Sequence, residues 1–493
     1  MTVPRVPSSQ YYCRNLAGGE WRESLATQRY EIASPYTNQV ISIVPESTKA
    51  ETDAVVAAAA AAFPAWRAVP VKERCALLFK FREGVLARLD DLSHLAAAEA
   101  GKTVEEARGE ILKGLEVTEF ALSVQNLDQG GMMEVSRGVT CSVRREPLGV
   151  VAGITPFNFP AMVPFWMYPI ALVAGNCFVL KPSEKVALSS QRIGEIITAT
   201  GFPPGVFSII NGGRETAENL VAHPAVKAVG FVGSTPAAQA IYTRATALGK
   251  RALCLGGAKN HIIVVPDADE AVTVPGVVSS FTGCAGQRCM AASLLIAVGA
   301  VDHLVNKFAA TARMLPLGPD MGAIIDRAAL SRMESIIERA QQQGATLVLD
   351  GRAPRKPSAF PDGNWLGATI IDHAKPSWEC ATAEIFGPVL TIVRVNTLTE
   401  AMALEHASPY GNATSVFTTS GAIAKFVSDH ATTGMIGVNI GVPVPREPFS
   451  FGGTKASKFG HGDMTGISGL DFWTDLKKVT TKWTLQTDQT WLS

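Results

Sequence analysis

Apolar residues recur along this 493-residue chain with two different periods. Between residues 53 and 90, and again between residues 92 and 125, they recur at helical spacing, which predicts helices. Short apolar runs follow, each separated from the next by a helical segment, and this alternation predicts a doubly wound sheet. The first series has strands at 177–181, 205–210 and 228–232 and helices at 189–200 and 216–222.

A second series of the same kind predicts a second α/β domain. Between the two series, Thr235 and Pro236 predict a helix that begins with a capping side chain, because proline suits the first helical turn. The second series has strands at 262–265, 294–298, 346–349 and 368–372 and helices at 269–280, 301–312 and 327–343.

The stretch 149–180 contains no charged residue and is long enough to cross a bilayer. Prolines and asparagines interrupt it and would break a spanning helix repeatedly. We interpret it as a buried strand, a tight loop, a short packed helix and a second buried strand. This interpretation predicts a protein without a membrane segment.

Two further segments alternate apolar and polar residues with the period of a β-strand. Residues 131–147 predict a hairpin that turns near Arg137 and Gly138. Residues 479–491 predict an exposed strand that pairs with another element or another chain.

Composition excludes several classes of protein. Lys plus Arg and Asp plus Glu each total 44, so no net charge favours nucleic acid or an acidic membrane. A hydrophobic fraction of 47% with 18% charged residues is typical of globular chains. Eight cysteines are too sparse for a disulfide framework, and no targeting segment opens the chain, so a reducing cytoplasm is the expected location.

A stretch rich in glycine and cysteine, residues 281–290, is the first candidate for chemistry. Cysteine reacts as the thiolate, which positive charge or oriented N–H groups stabilise. Arg288 directly precedes Cys289, and Gly286 lets the backbone approach closely. The alternative is that Cys289 and Cys284 only pack in the core, as free cysteines commonly do.

Asn158 lies in a proline-flanked loop after a predicted buried strand. A primary amide held there could donate a hydrogen bond to developing negative charge, although an ordinary turn asparagine is the alternative. The dinucleotide fingerprint G-x-G-x-x-G does not occur in the sequence. Further short motifs, each weak alone, stand at 181–184, 230–234, 256–260 and 384–388.

Together and in this order, the motifs make the chain resemble the aldehyde dehydrogenase superfamily over essentially its full length. Within it, the chain is similar to the methylmalonate-/malonate-semialdehyde dehydrogenase branch, which oxidises a short semialdehyde with NAD and releases an acyl-CoA. The motifs are Pro-Phe-Asn-Phe-Pro at 156–160, Gly-Ala-Lys-Asn-His at 257–261, Gly-Gln-Arg-Cys-Met at 286–290, Gly-Val-Asn-Ile at 437–440 and Phe-Ser-Phe at 449–451.

The resemblance implies an α/β aldehyde dehydrogenase fold with two doubly wound domains and a small β element for oligomerisation. Because strands of that element extend a neighbour's sheet, a dimer or tetramer is expected. The implied parts are a Rossmann-like NAD-binding domain at 1–128 and 149–254, a catalytic domain at 255–448, a return to the NAD-binding domain at 449–474, and the oligomerisation element at 129–148 and 475–493.

The resemblance also implies roles for single residues. Cys289 matches the family nucleophile, and Asn158 matches the amide that holds the oxyanion together with the N–H of Cys289. Lys181 and Glu184 match residues that bind the adenosine ribose. A carboxylate at Glu184 would repel a 2′-phosphate, so NAD is favoured over NADP.

The remaining cofactor contacts follow in the same way. Gly233 and Ser234 match the helix start beneath the pyrophosphate, where free N–H groups face the anion. Glu384 and Phe386 match the pair that positions the nicotinamide ribose and ring. The residues expected to bind the cofactor are Thr155, Pro156, Phe157, Lys181, Ser183, Glu184, Gly233, Ser234, Gly256, Glu384 and Phe386.

What removes the acyl group from Cys289 decides the product. Hydrolysing relatives use a glutamate as general base to activate water. Leu255 takes that position when the chain is aligned on residues 257–259, and a one-residue gap would place Cys254 there; neither is a carboxylate. The resemblance therefore implies coenzyme A as co-substrate, an acyl-CoA product and decarboxylation of a malonyl-type acyl group.

Members of the branch grip the semialdehyde's carboxylate with two arginines. Arg288 matches one of them, and Lys113 occupies the position of the other. Its ammonium is a point charge, whereas the guanidinium of arginine is planar and can bind a carboxylate through two hydrogen bonds. Arg446 is a candidate for the missing fork, and the alternative is a solvated surface arginine. No metal site is expected.

Two other functions stay open. The chain could be a non-acylating aldehyde dehydrogenase that hydrolyses its thioester with water activated in another way. It could also be a catalytically silent binding or structural protein. A silent protein has no chemical need for Cys289, Asn158, Lys181, Glu184 and Glu384 together, which disfavours that alternative.

Overall fold

The structure, a computed structural model, describes residues 3–127 and 130–483 of the chain. Most of the strand predicted at 479–491 lies outside these residues. The described strands are β1 (Tyr11–Tyr12), β2 (Asn15–Ala17), β3 (Glu20–Arg22), β4 (Arg29–Ala33), β5 (Val40–Pro45), β6 (Gly130–Ser136), β7 (Val139–Pro147), β8 (Val150–Ile154), β9 (Cys177–Lys181), β10 (Phe207–Ile209), β11 (Val226–Val232), β12 (Arg251–Leu255), β13 (Asn260–Val264), β14 (Ala292–Val298), β15 (Thr346–Leu349), β16 (Thr369–Asp372), β17 (Val389–Val395), β18 (Tyr410–Gly411), β19 (Ala413–Phe417), β20 (Met435–Val438), β21 (Thr454–Lys455), β22 (Lys458–Phe459) and β23 (Thr474–Lys482).

Helices lie between these strands, as the alternating pattern predicts. The described α-helices are α1 (Lys49–Ala68), α2 (Val71–Leu86), α3 (Leu89–Ala100), α4 (Val104–Ser123), α5 (Met162–Val173), α6 (Ala187–Ala199), α7 (Arg214–Ala222), α8 (Thr235–Ala247), α9 (Glu270–Thr282), α10 (Asp302–Arg313), α11 (Arg327–Gln342), α12 (Glu379–Thr382), α13 (Leu398–Ala407), α14 (Gly421–His430) and α15 (Gly466–Phe472).

The first large sheet is built on five parallel strands in the order β12-β11-β8-β9-β10. The chain runs from β8 outward to β10, and then crosses to β11 and β12 on the other side of β8. This reversal creates a topological switch point, where open α/β sheets bind ligands at the carboxyl ends of their strands. Every residue of β8 and β9 is buried, because helices cover both faces of the sheet.

The second large sheet contains six parallel strands in the order β16-β17-β14-β13-β19-β20, with β15 antiparallel at one edge. The chain leaves the first sheet after β12 and rejoins it through β22, which pairs antiparallel with β12. The predicted architecture of two α/β units is confirmed, while the exact domain bounds stay predictions.

A third sheet consists of the predicted hairpin and the start of the predicted C-terminal strand. Strands β6 and β7 pair antiparallel around Arg137 and Gly138, and β23 pairs with β7 along its whole length. Its order is β23-β7-β6, so β6 and β23 are the edge strands formed by the described residues.

The helices predicted at 53–90 are present as α1, α2 and the start of α3, and Val69 between the first two is extended because the α conformation is disfavoured before Pro70. One local prediction needs correction. Thr235 does not cap α8: it is the first helical residue, the N-cap is Ser234, and no side chain caps this terminus.

The apolar helices of the described part do not individually meet the requirements for crossing a membrane. Only α1 and α2 taken together reach the necessary length and composition, and the helix axis bends by 119° at the break between them.

Candidate active site

A cleft of about 830 Å³ lies between the two large sheets. From the first sheet it receives the carboxyl ends of β8, β9, β11 and β12, which is the switch-point edge. From the second sheet it receives segments that precede β14 and β17, which carry Cys289, Glu384 and Phe386. One sheet therefore contributes a ligand-binding edge and the other contributes the reactive groups.

The cleft brings together residues that lie far apart in the sequence. Asn158 and Cys289 line it, and so do all the residues predicted to bind the cofactor: Thr155, Pro156, Phe157, Lys181, Ser183, Glu184, Gly233, Ser234, Gly256, Glu384 and Phe386.

One end of the cleft suits an anionic group. Helix α8 begins there without a side-chain cap, so its first N–H groups and the positive end of its dipole face the cleft. A Cβ added at Gly233 would meet the ring of Phe231 at 2.6 Å, which leaves room only for glycine. The hydroxyl of Thr235 accepts the N–H of Gly257 at 2.8 Å and so fixes the helix start to the neighbouring loop.

A basic and an acidic side chain lie at the end of β9. The Lys181 ammonium is 3.7 Å from Glu184, and burial lowers the pKa of Lys181 even though Glu184 and Glu46 oppose that shift. This arrangement offers a hydrogen-bond donor and a carboxylate acceptor to a sugar diol. It fits the ribose of a dinucleotide.

The loop before Cys289 has an unusual backbone. Cys284, Ala285 and Gly286 have φ values of 54°, 49° and 68°, three consecutive residues in the left-handed region. Two of them are not glycine, and each such residue costs about 1–2 kcal/mol, so the surrounding structure must hold them. Glu106 of α4 does part of this by accepting the N–H of Cys284 at 2.6 Å.

The side chain of Gln287 bonds the same loop to the segment at residues 323–325. Its amide nitrogen donates to the carbonyl of Ala323 at 3.1 Å, and its amide oxygen accepts the N–H of Ile325 at 2.9 Å. The carbonyl of Gln287 accepts a hydrogen bond from the side-chain amide of Asn158 at 2.9 Å. Because an amide nitrogen carries two hydrogens, one donor of Asn158 stays available.

Two further amides hold the carbonyl of Cys289. The side-chain nitrogen of Asn260 donates to it at 2.7 Å, and that of Asn412 donates to it at 2.9 Å. Asn260 lies at the start of β13 and Asn412 directly before β19, so two neighbouring interior strands of the second sheet determine where Cys289 lies. The nucleophile is thus fixed by a rigid scaffold although it belongs to a loop.

The thiol of Cys289 is poorly ionised in the free protein. Burial raises its pKa to about 12, and the negative charge of Glu384 acts in the same direction. The N–H of Cys289 and the Arg288 guanidinium oppose this shift. Turnover therefore requires a change in the electrostatic surroundings of the thiol, or a group that accepts its proton.

Glu384 is a partly buried carboxyl group that lines the cleft on the side of the second sheet, as Cys289 does. It accepts the N–H of Ala258 at 2.9 Å, and burial raises its pKa to about 7. Arg332 of α11 supports its segment by donating to the carbonyl of Ile385 at 2.6 Å. Phe386 has a φ of 56° and packs edge-on against Phe157, with ring centres 5.9 Å apart.

A buried ion pair supports the loop that carries Asn158. Lys102 and Glu110 bond to each other with side chains only 3% and 1% exposed. The Lys102 ammonium also lies 3.6 Å from the ring centre of Phe159, and Glu110 accepts the N–H of Ala161 at 2.9 Å. Helix α4 thereby fixes both the Asn158 loop and, through Glu106, the Cys289 loop.

The residues predicted to bind the substrate lie elsewhere. None of Arg288, Lys113 and Arg446 lines the described cleft. Arg288 donates to the carbonyl of Ser280 at 3.1 Å and to that of Ser279 at 2.5 Å, near the end of α9. Lys113 and Arg446 both lie within ion-pair distance of Glu116 of α4, and their substrate role stays a prediction.

Leu255 and Cys254 are buried at the end of β12, and neither lines the cleft. No carboxylate occupies either position that a hydrolytic general base would take. Glu384 is the carboxylate of the cleft that acts on the pKa of Cys289.

Several supporting residues were not identified from the sequence. Asn260 stands inside a motif that was noticed, but its target, the carbonyl of Cys289, is 29 positions away. Glu106 and Glu110 follow each other at helical spacing on α4, which is also the pattern of an ordinary solvated helix face. Gln287 precedes Arg288, and nothing in its neighbours indicates the contacts to residues 323 and 325.

Comparison with known proteins gives a consistent result. The aldehyde dehydrogenase family model matches residues 21–479. A malonate-semialdehyde dehydrogenase of Geobacillus kaustophilus (strain HTA426) is 40% identical over 479 residues, which are 95% of this chain and 98% of that protein. A Dictyostelium discoideum protein assigned as a mitochondrial, acylating methylmalonate-semialdehyde/malonate-semialdehyde dehydrogenase is 39% identical over 472 residues, covering 94% and 89% of the two chains.

Solved structures agree with this relationship. The methylmalonate-semialdehyde dehydrogenase DddC from Oceanimonas doudoroffii superposes with a TM-score of 0.94 at 40% identity, covering 97% of this chain and 99% of that one. A Sinorhizobium meliloti 1021 protein assigned as a methylmalonate-semialdehyde dehydrogenase and crystallised with NAD superposes with a TM-score of 0.95 at 35% identity, covering 98% and 100%. The chain therefore belongs to the aldehyde dehydrogenase family and is an aldehyde dehydrogenase.

Proposed function

We propose that this enzyme catalyses the NAD-dependent, CoA-acylating oxidation of a short acidic semialdehyde, malonate or methylmalonate semialdehyde, to an acyl-CoA, with decarboxylation of the acyl group. The proposal rests on one cleft, which contains Cys289 and Asn158 together with a sheet edge suited to a dinucleotide. The positions of a hydrolytic general base are filled by Leu255 or Cys254, neither of which is a carboxylate. The names of the similar proteins support the choice of semialdehyde.

The side chains of the cleft suit NAD chemically, and a similar protein was crystallised with NAD. The open start of α8 suits the pyrophosphate, Lys181 and Glu184 suit the adenosine ribose, and Glu384 and the ring of Phe386 suit the nicotinamide end. The similar Sinorhizobium structure was crystallised with NAD. When bound there, NAD supplies the hydride acceptor for the oxidation.

The chain's own groups perform the covalent chemistry. After the Cys289 thiol has lost its proton to solvent, its sulfur adds to the aldehyde carbon while the carbonyl π pair moves to oxygen; the oxyanion that forms accepts hydrogen bonds from the free amide hydrogen of Asn158 and from the N–H of Cys289. Loss of hydride from the same carbon leaves a thioester on Cys289. Gln287, Asn260 and Asn412 hold these donors and the sulfur in fixed positions.

Release of the acyl group favours a thiol over water. In thioester exchange, the CoA sulfur bonds to the acyl carbon while the bond to Cys289 breaks, so one thiolate replaces another. Water is a weaker nucleophile and needs a general base, which neither Leu255 nor Cys254 provides. The acylating relative from Dictyostelium supports this choice.

Hydrolysis is the second candidate, because Glu384 lies in the same cleft with a pKa of about 7. A carboxylate with that pKa could accept a proton from water near neutral pH. The product would then be a free carboxylic acid. Assembly into a dimer or tetramer and a cytoplasmic location stay predictions that are compatible with either product.

NADH formation from malonate semialdehyde, with and without CoA, tests the proposal. We expect NADH formation to depend on CoA and to yield an acyl-CoA that mass spectrometry detects, with CO₂ released in equal amount. Equal rates with and without CoA and a free acid as product would contradict acylation and identify hydrolysis. A Glu384→Gln variant that keeps its hydrolytic rate would then remove Glu384 as the base.

A further inference from the structure

The carboxylate of Glu46 contacts the wall of the cofactor cleft. Glu46 directly follows β5 and is only 7% exposed. One of its oxygens accepts the N–H of Gly213, a residue that lines the cleft, at 2.7 Å, and also accepts the hydroxyl of Tyr30. The other oxygen accepts the N–H and the hydroxyl of Thr216, at 2.8 Å and 2.7 Å. Four hydrogen bonds therefore hold this carboxylate in one position.

These bonds make Glu46 the cap of helix α7. Gly213 is the N-cap of α7 and has no side chain of its own to cap it, and Thr216 is the third residue of the helix. A carboxylate is favourable there, because free N–H groups and the positive end of the helix dipole face it. Helices α7 and α8 both begin at the cleft, but α8 has no capping side chain. The start of α8 is therefore open to a phosphate, whereas that of α7 is occupied.

The same carboxylate acts on Lys181. Lys181 is the last residue of β9, and β10 is the next strand of the sheet. The N–H of Ile210, just after β10, donates to the carbonyl of Leu180 at 2.9 Å, so the ends of the two strands lie side by side. Burial lowers the pKa of Lys181, and the negative charges of Glu184 and Glu46 both oppose this shift. Two carboxylates thus already act on the Lys181 ammonium.

Glu46 carries its negative charge in the folded protein. Burial acts to raise the pKa of its carboxyl, but the hydrogen bonds from Tyr30, Thr216 and Gly213 outweigh burial and hold that pKa below its ordinary value. A carboxyl group of this kind is ionised at neutral pH. Glu46 therefore contributes a charge to this end of the cleft as well as hydrogen bonds.

We propose that Glu46 is a specificity-determining residue that makes the cleft prefer NAD to a dinucleotide with a 2′-phosphate on its adenosine ribose. This inference rests on the proposed function, in which Lys181 and Glu184 bind the ribose of NAD. A phosphate on that ribose is repelled by Glu46 as well as by Glu184. The start of α7 cannot accept the phosphate, because Glu46 already bonds to its N–H groups. An unphosphorylated ribose brings no charge and is not repelled.

The binding of NADH and of NADPH, followed by nucleotide fluorescence without aldehyde or CoA, tests this role. Glu46→Gln keeps the shape of the side chain and removes its charge. The new amide nitrogen accepts no hydrogen bond, so the substitution also frees an N–H group at the start of α7. We expect the ratio of Kd for NADPH to Kd for NADH to fall about tenfold, the scale of one charge interaction near a protein surface.

Two further variants separate the charge of Glu46 from its structural role. Tyr30→Phe removes one hydrogen bond to Glu46 and keeps the charge, so the ratio should change less than about twofold. Glu405→Gln is the matched control: Glu405 is fully buried and accepts the N–H of Thr432 at 2.9 Å, but it does not line the cleft. We expect Glu405→Gln to lower the free energy of unfolding and to leave the ratio unchanged.

Glu184→Gln provides a test that does not require a substitution in the buried network, because the side chain of Glu184 is 30% exposed. NADPH should still bind more weakly than NADH to this variant, since Glu46 continues to repel the phosphate. Binding of NADPH as tight as that of NADH would assign the whole preference to Glu184 and contradict the inference.

The inference is also overturned if Glu46→Gln weakens both nucleotides equally, because Glu46 would then only hold α7 in place. A shift in Tyr30→Phe as large as that in Glu46→Gln has the same consequence. These binding measurements are independent of the proposed reaction. An unchanged ratio in Glu46→Gln contradicts the role of Glu46, even where the wild type forms an acyl-CoA with NAD; a free acid as product contradicts acylation, even where Glu46→Gln accepts NADPH.

Discussion

At the scale of single residues, the environment of Cys289 opposes its own reactivity. Its pKa is raised to about 12, first by burial and then by the negative charge of Glu384, which lines the same cleft. The positive charge of an oxidised nicotinamide ring bound in the cleft would offset the charge of that carboxylate, and ionisation of the thiol would then be coupled to occupancy of the cleft. The free enzyme would then keep its nucleophile unreactive until the cofactor is in place.

The substitution Glu384→Gln tests this coupling. Removing the negative charge should lower the pKa of Cys289, and each unit of decrease raises the thiolate fraction about tenfold at a pH below that pKa. Alkylation of Cys289 by iodoacetamide in the cofactor-free enzyme should therefore be faster in the variant above pH 7, where wild-type Glu384 is charged. Below pH 7 the wild-type carboxyl is protonated, since its pKa is about 7, so the two rates should converge.

Glu379→Gln provides the control for this experiment. Glu379 lies near Glu384 in sequence but is exposed and pairs with Arg339 at 2.8 Å. Its replacement should leave the alkylation rate of Cys289 unchanged at every pH. A Glu384→Gln variant that reacts no faster than wild type at alkaline pH would show that burial alone sets the pKa of the thiol.

At the scale of elements, helix α4 joins the two loops of the active site. The capping box of Thr103 and Glu106 begins the helix, and Glu106 uses its second oxygen to hold Cys284. One turn later, Glu110 bonds to Lys102 and to the start of α5. The helix thereby sets the separation between the nucleophile and the oxyanion donor.

Glu110→Gln should weaken the contacts by which α4 holds Lys102 and the start of α5. Loss of one partner leaves the buried Lys102 ammonium uncompensated, which costs about 3–5 kcal/mol of unfolding free energy. Urea denaturation should show this loss, and kcat should fall as the Asn158 loop relaxes, while the exposed pair broken by Glu119→Gln should cost less than about 1 kcal/mol. A loss for Glu110→Gln as small as that of Glu119→Gln would show that the ion pair is not important for stability.

The sequence predicts elements better than the contacts between them. Helices and strands of the two α/β units followed from apolar spacing, because burial of one face imposes a period that is visible locally. The Thr235 cap was wrong: Ser234 is the N-cap, and the Thr235 hydroxyl accepts the N–H of Gly257, a partner 22 positions away. Local spacing carries no information about such partners.

The same limit applies to the site. Cys289, Asn158 and Glu384 were found through motifs that resemble a family. Asn412 supports Cys289 across 123 positions, and Glu447 neutralises Lys113 through a loop of irregular structure, so no periodic pattern indicates either contact. The substrate role of Lys113 stays a prediction.

At the scale of the whole molecule, the third sheet exposes apolar side chains that a monomer has no reason to keep. Met133 and Val135 on the edge strand β6 are 68% and 52% exposed, and Trp483 after the other edge strand is 86% exposed. Edge strands with exposed apolar residues pair readily with another chain. A second copy of this chain is the partner that the family fold implies.

Charge on this edge should disrupt the assembly. We expect wild-type protein to be a dimer or tetramer by light scattering coupled to size exclusion, and the double variant Met133→Lys/Val135→Lys to yield smaller species, because like charges on paired edges repel. Leu25→Lys is the control, since Leu25 is 89% exposed but lies outside the third sheet, and it should leave the assembly unchanged. An unchanged mass for the double variant would mean that β6 does not contribute to the interface, and the edge strand β23 with Trp483 would then be the surface on which subunits meet.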